Sequence, residues 1–187
     1  MSDFQRIENV YRNVRDLAPR LPFHNLEHLI DVSESCRMYA RLEGLEESDA
    51  EILRLAGMLH RIVHRRGEED NAERSAYEAR RILKRCGYSS EEIDRVEELI
   101  WFTKYEREPK NINEKIMHDS DWDPTGRNDF LEKSEMLRLE EGIDFEKWYR
   151  EIEPDFLDRV KYYTDSAKSI CEYRLKENIK ELDELCE

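Results

Sequence analysis

Apolar residues recur every three or four positions along most of this chain, with charged residues between them. That spacing places apolar side chains on one face of a helix, whereas strands need strict alternation, of which no convincing stretch occurs. Good helix formers dominate, and the chain has only 6 Gly and 5 Pro. A length of 187 residues favours one domain with its own core. The pattern therefore predicts an all-α helical bundle, with residues 1–187 as a single domain.

Start and stop signals divide this pattern into helices. Pro19 and Pro22 separate the first two, Ser48 is a candidate cap for the third, and Ser89 with Glu92 forms a capping box before the fifth. Polar connections and turns mark the remaining boundaries. The predicted helices cover about 4–17, 24–43, 48–65, 71–86, 89–105 and 114–121, followed by two or three more, the last from about 154 to the C-terminus.

The charge balance restricts the partners. The chain carries 45 Asp+Glu against 31 Lys+Arg, a net charge of −14, which disfavours nucleic acid as a partner. No apolar run approaches the length of a membrane span, and the first residues show no apolar signal segment. The four cysteines form no CxxC pair. We expect a cytoplasmic protein with reduced thiols, and its amphipathic helices are compatible with a homodimer.

The chain has only five histidines, and their positions suggest a site. His24 and His28 are four apart and share a helix face, whereas His60 lies on an apolar stripe. His118 precedes three acids at 119, 121 and 123. Imidazole and carboxylate ligands suit Mn, Fe, Zn, Ni or Mg, and such an ion activates water and clamps a phosphoryl oxygen. Histidines on apolar faces are, however, commonly satisfied core residues, so spacing alone leaves both interpretations open.

Four segments in order resemble the HD superfamily of metal-dependent phosphohydrolases, in particular its small predicted phosphohydrolase branch. They are FHNLEHLIDV at 23–32, MLH at 58–60, DNAERSA at 70–76, and the pair formed by 100–104 and DSD at 119–121. The resemblance covers about residues 20–126, which would form the site-bearing core, with helices over about 127–187 packing on it. It implies an HD-type helical fold and hydrolysis of a phosphomonoester or nucleotide.

The resemblance also implies roles for particular residues. His28, His60 and Asp121 fall on metal-ligand positions, and Asp121 is preferred to Asp119 because the second aspartate matches the ligand in similar motifs. His24 would act as a general acid or a phosphate contact beside the metal, since imidazole can exchange a proton near neutral pH.

The chain departs from the family pattern at its defining aspartate, where it has Arg61. Ala72 stands where glutamate is usual, and Tyr105 lies in a region where histidine is frequent. An arginine stays protonated and repels a divalent cation. Three interpretations follow: Arg61 turns outward and the metal is weakened; Arg61 replaces the metal and binds phosphate through its guanidinium; or Arg61 pairs with Asp121 or Asp119 in an inert scaffold.

The sequence therefore predicts an HD-like protein that binds or acts on a small phosphorylated metabolite or nucleotide. His24 and Arg61 are the candidate catalytic residues. Metal-dependent hydrolysis is expected to be impaired by Arg61, and a non-catalytic phosphate-binding or scaffold protein is the alternative.

Overall fold

Helices account for the fold, as the pattern predicts. A computed structural model describes residues 3–104 and 108–186, and within those ranges there is no β-strand, only an isolated bridge between Arg20 and Asn25. The helices are α1 (Asp3–Leu17), α2 (Leu26–Leu42), α3 (Glu47–Leu59), α4 (Asn71–Arg85), α5 (Ser90–Phe102), α6 (Ile112–Trp122), α7 (Phe130–Glu141), α8 (Phe145–Lys147), α9 (Glu153–Leu157) and α10 (Asp165–Cys186). A 3₁₀ turn over Asp123–Gly126 follows α6, and a π-helical turn over Trp148–Ile152 joins α8 to α9.

Side-chain caps fix where several helices begin. The Asn25 side chain accepts a hydrogen bond from the His28 backbone N–H and so caps α2. Ser89 and Glu92 form the predicted capping box before α5. Asn111 caps α6, which begins at Ile112, two residues before the predicted start at 114. The starts of α2 and α6 are therefore set locally, and these helices carry His28 and Asp121.

The third helix differs from its prediction at both ends. Its N-cap is Glu46 rather than Ser48, and it ends at Leu59 rather than near residue 65. The reason lies in α4, whose side chains take over the backbone hydrogen bonds of the loop after α3. Asn71 Oδ1 accepts from Arg65 N at 2.8 Å, and Ser75 Oγ donates to the Val63 carbonyl at 2.9 Å. The loop therefore holds residues that the sequence placed on a helix.

The C-terminal third also differs from its prediction. The last helix begins at Asp165, not near 154, because the chain breaks between α9 and α10. Asp119 on α6 stabilises the break: its carboxylate accepts from the backbone N–H groups of Tyr163 and Thr164 and from the Thr164 hydroxyl. A side chain distant in sequence thus accepts hydrogen bonds from backbone N–H groups that would otherwise lack a partner just before α10.

One hydrophobic core extends from Val10 to Leu182, which is why the chain is a single domain. Gly57 matters in it, since a Cβ at this position would lie 3.0 Å from backbone atoms of Val32 and Ser33. The missing side chain lets α2 and α3 approach closely and so brings His28 near His60. Of the described helices, none is both long and apolar enough to span a bilayer. The cytoplasmic location stays a prediction.

Candidate functional site

Three of the predicted residues converge at the centre of the molecule. His28 lies in the first turn of α2, His60 directly follows α3, and Asp121 lies in the last turn of α6. The two imidazole Nε2 atoms are 3.3 Å apart, and Asp121 Oδ1 lies 3.3 Å from His60 Nε2 and 3.8 Å from His28 Nε2. We call these residues the triad. Their ligand atoms all lie within 4.8 Å of one another, a separation that a single metal ion can bridge.

The tautomer of His60 is fixed by its surroundings. His60 Nδ1 lies 2.7 Å from the carbonyl oxygen of Gly57, which can only accept, so Nδ1 carries the proton and donates it. Nε2 of the same ring then faces His28 Nε2 and Asp121 Oδ1. Such a backbone partner orients a metal-ligating histidine in many proteins. The triad therefore offers a preformed nitrogen ligand rather than a ring free to rotate.

The charge states of the triad also suit a cation. Burial lowers the pKa of His28 well below its usual value, and His60 lowers it further, so the ring stays neutral. Burial alone would raise the pKa of Asp121, but His60, His28 and Arg61 hold it below its usual range. The Asp121 side chain keeps 23% of its surface exposed, so its ionised carboxylate is reachable from the cavity described below.

The other two acids of the 119–123 segment form hydrogen bonds to groups outside the triad. Asp119 is fully buried and holds Tyr163 and Thr164, as described above. Asp123 accepts from the Tyr39 hydroxyl and lies 3.1 Å from Arg127 Nη1. Asp121 is therefore the acid of this segment that faces the two histidines.

Arg61 lies beside the triad without an anionic partner. It lines a cavity together with Asp121 and His24, and its Nε is buried with no hydrogen-bond partner. Burial is the main cause that lowers the pKa values of His24 and His28, and the positive charge of Arg61 lowers them further. Within 3–104 and 108–186 no ion pair of Arg61 occurs. The three interpretations of Arg61 stay predictions, and its charge does act on Asp121, where it helps to lower the pKa of the carboxyl.

A second cluster, which we call the Glu140 cluster, consists of His24, His64 and Glu140. His24 Nδ1 lies 2.6 Å from Glu140 Oε1, and His64 Nε2 lies 3.4 Å from the same oxygen. The other oxygen of Glu140 accepts from the backbone N–H groups of Phe23 and His24, each at 2.9 Å. Burial would raise the pKa of Glu140, but the hydrogen bonds from His24 and His64 hold it well below its usual range.

The Glu140 cluster is poorly arranged for a metal despite its composition. The rings of His24 and His64 stack with centroids 3.7 Å apart and planes 20° from parallel. A histidine nitrogen directs its lone pair in the plane of its ring, so two stacked rings cannot both point at one ion. We interpret this cluster as a hydrogen-bonded support for His24. The His64 side chain is largely buried in this cluster, with 9% of its surface exposed.

The cavity beside the triad, which we call the Arg61 cavity, has a volume of about 400 Å³. It lies between the triad and the C-terminal third of the chain. Its walls combine cations and acids with aromatic and aliphatic side chains: Phe23, His24, Arg61, Thr103, Lys104, Asp121, Trp122, Pro124, Thr125, Phe130, Lys133, Ser134, Leu137, Glu153 and Phe156.

Several residues in and around the two clusters and the cavity have no clear signal in the sequence. Glu140 and Glu153 lie beyond the expected site-bearing segment of about 20–126, and no local motif marks either one among the chain's many acids. Asn71 and Ser75 lie in a segment that the resemblance includes, and they hold the loop that carries His60. Ala72 is buried at the start of α4. Tyr105 lies outside the described residues.

Comparisons with known proteins agree with the helical fold. The HD domain profile matches residues 25–143, more than half of the chain. The fold is similar to that of Bacillus subtilis YpgQ in complex with ADP, with a TM-score of 0.75 and 18% identity over 99% of this chain and 95% of that one. A selenomethionine form and a further crystal structure of YpgQ give TM-scores of 0.75 and 0.74 at 17% and 16% identity, covering 99% of this chain and 94% and 96% of theirs. No curated protein matches the sequence significantly.

Proposed function

The chain belongs to the HD domain family, and from this premise we propose that it binds a small phosphorylated metabolite or nucleotide in the Arg61 cavity. Arg61 is the phosphate contact in this proposal, and His24 is a second contact or proton donor. The triad is a weakened site for a divalent ion, so metal-dependent hydrolysis is slow or lost.

The observation that carries the proposal is the environment of Arg61. A guanidinium in a partly buried cavity is costly unless an anion accompanies it. Arg61 has no ion pair within the described part of the chain, and its Nε is buried without a partner. A phosphate group accepts two parallel N–H bonds from a guanidinium and compensates its charge. The side chain is therefore poised for an anionic ligand.

The rest of the cavity supports a ligand of this kind. Its volume of about 400 Å³ lies in the range of small-molecule sites. Lys133 also lines it, although this ammonium is paired with Glu27 at 2.9 Å. YpgQ, whose fold is similar, has been crystallised with ADP. That precedent supports a nucleotide among the candidate ligands.

The triad fits a divalent ion in its donor set, since His28, His60 and Asp121 supply two imidazoles and one carboxylate. Mn, Fe, Zn, Ni and Mg are all compatible with such ligands. When bound, the ion would supply Lewis acidity to a phosphoryl oxygen. The positive charge of Arg61 nearby opposes its binding, because like charges repel strongly where water is partly excluded.

The first experiment titrates inorganic phosphate and ADP into the metal-free protein by calorimetry. Arg61→Met should weaken both at least tenfold, about 1.4 kcal/mol, because a charged hydrogen-bond donor is lost. Arg65→Met is the matched control, since Arg65 is exposed on the same loop. Equal binding by the wild type and Arg61→Met would contradict the proposal.

Arg61→Asp tests the weakened metal site. This change restores the charge expected at this position in the family, so we expect Mn²⁺ or Zn²⁺ to bind at least tenfold more tightly, as measured by calorimetry and by metal retained after desalting. Phosphate affinity should fall in the same variant. If neither quantity changes, Arg61 does not act on the site.

An active metal-dependent phosphohydrolase is the second candidate. The convergence of the triad favours it, because three protein ligands suffice at many catalytic zinc sites. It predicts turnover of a nucleotide or an aryl phosphate that depends on added metal and disappears in His60→Gln. Absence of turnover in metal-loaded wild type, together with intact phosphate binding, would favour the non-catalytic form.

A further inference from the structure

Glu153 is a buried carboxyl that the proposed phosphate site does not use. It is the first residue of α9, its residue surface is 3% exposed, and it lines the Arg61 cavity. No ion pair of Glu153 occurs in the described ranges, and its polar neighbours include Ser134 and Tyr149. Burial raises the pKa of Glu153 to about 7. An acid kept in such a place is destabilising unless a ligand supplies hydrogen-bond donors.

The backbone before Glu153 is also unusual. The π-helical turn over Trp148–Ile152 ends directly at this residue. Single π-helical turns are rare and frequently occur at functional sites, because the extra residue changes the direction of the side chains that follow. Trp148 donates its indole N–H to Ser134 Oγ at 2.9 Å, which fixes the hydroxyl beside Glu153. The carboxyl is therefore held by a built environment rather than on a mobile surface.

The rest of the cavity defines the shape of the ligand. Aromatic and aliphatic walls formed by Phe23, Phe130, Leu137 and Phe156 favour a flat, largely apolar group over a flexible amine. A carboxylate accepts but cannot donate when ionised, so that group must carry N–H donors. Two adjacent donors match the two carboxylate oxygens best.

We propose that Glu153 recognises the base of a guanine nucleotide whose phosphate lies at Arg61. The guanine N1–H and the exocyclic 2-amino group would donate to the two carboxylate oxygens, with the ring between the apolar walls. Adenine presents one donor and one acceptor on the corresponding edge and would leave an acceptor facing the carboxylate. This inference rests on the proposed function, because it needs phosphate binding at Arg61 to anchor the nucleotide.

The test compares nucleoside monophosphates by calorimetry at pH 8, where the carboxylate is ionised. Guanosine monophosphate should bind at least tenfold more tightly than adenosine monophosphate. Glu153→Gln should reduce guanosine monophosphate binding at least tenfold and should not weaken the binding of inorganic phosphate. Glu151→Gln is the matched control, because Glu151 is exposed on the preceding turn. Circular dichroism verifies that each variant is folded.

A ligand change gives a second measurement that needs no variant. Inosine monophosphate lacks the 2-amino group and should bind wild-type protein several-fold more weakly than guanosine monophosphate. Equal affinities for guanine, hypoxanthine and adenine nucleotides, or a guanine preference that persists in Glu153→Gln, would overturn the assignment of Glu153 while phosphate binding stands. Failure of every nucleotide and of inorganic phosphate would instead overturn the proposed function.

Discussion

Two clusters of the same composition, each with two imidazoles and one carboxylate, lie side by side in this protein. In the triad, nitrogen and oxygen atoms converge at 3.3 to 3.8 Å, and Asp121 remains partly open to the cavity. In the Glu140 cluster, the carboxylate is saturated by two backbone N–H groups and a 2.6 Å contact with His24. The carboxylate of the triad still has lone pairs free to bind an ion, whereas the lone pairs of Glu140 are almost all used in hydrogen bonds.

This difference teaches that residue types alone do not identify a metal site. A metal requires lone pairs that point at one position, which the triad offers. Stacked rings and a carboxylate already accepting several hydrogen bonds instead make a rigid support, as in the Glu140 cluster. The two clusters adjoin, since the ring centroids of His24 and His28 are 5.3 Å apart. The Glu140 cluster therefore orients His24, which lines the Arg61 cavity together with Asp121 of the triad.

The largest expected effect comes from removing the support. Glu140→Ala leaves the backbone N–H groups of Phe23 and His24 without a partner and removes a buried carboxylate from two histidines. We expect a loss of about 3–5 kcal/mol in the free energy of unfolding, measured with urea. Glu132→Ala on the exposed face of α7 should change it by less than about 1 kcal/mol. Similar losses in both variants would mean that the cluster is not a support.

The next effect separates the clusters by metal affinity. His60→Gln removes a triad ligand, so affinity for Mn²⁺ or Zn²⁺ should fall about 100-fold, close to 3 kcal/mol. His64→Gln changes the Glu140 cluster and should leave metal affinity within about threefold, the usual spread of such measurements. Metal content after desalting provides the readout. A variant of His64 that loses the metal while the His60 variant keeps it would reverse the assignment.

Glu153 extends the comparison to a buried carboxyl group that has no histidine partner among the described residues. Its pKa is raised from 4.5 to about 7 by burial. The neutral form is therefore favoured in the folded state, and stability is lost as the pH rises from 4.5 through 7. Wild type should lose about 2 kcal/mol more than Glu153→Gln between pH 5 and pH 8. Urea unfolding at both values measures this, and parallel curves would contradict it.

The smallest effect concerns the loop that joins both clusters. Ser75→Ala removes the hydrogen bonds that link this side chain to the backbone N–H and carbonyl of Val63. We expect a loss of about 1–2 kcal/mol and weaker metal binding, because His60 and His64 lie on this loop. Ser48→Ala is the control, since Ser48 is exposed and makes no cap, and it should change stability by less than about 0.5 kcal/mol.

The sequence predicted a large share of the fold from local signals. Helical spacing gave α1, α2, α4 and α5 nearly in full, and the Ser89 capping box lies where its pattern predicts. The HD resemblance led to three residues that the fold does bring together. It could not supply Glu140, which is one acid among many on a helix of low amphipathicity, far from the motifs in sequence.

Local patterns and packing decide different properties of this protein. The sequence by itself determined the helical class and the side-chain caps of α2 and α6, because these depend on neighbouring residues. Only the tertiary structure decided that α3 ends at Leu59, since the partners that end it come from α4. It also decided which acids face the histidines, because burial and hydrogen bonding act between residues distant in the chain.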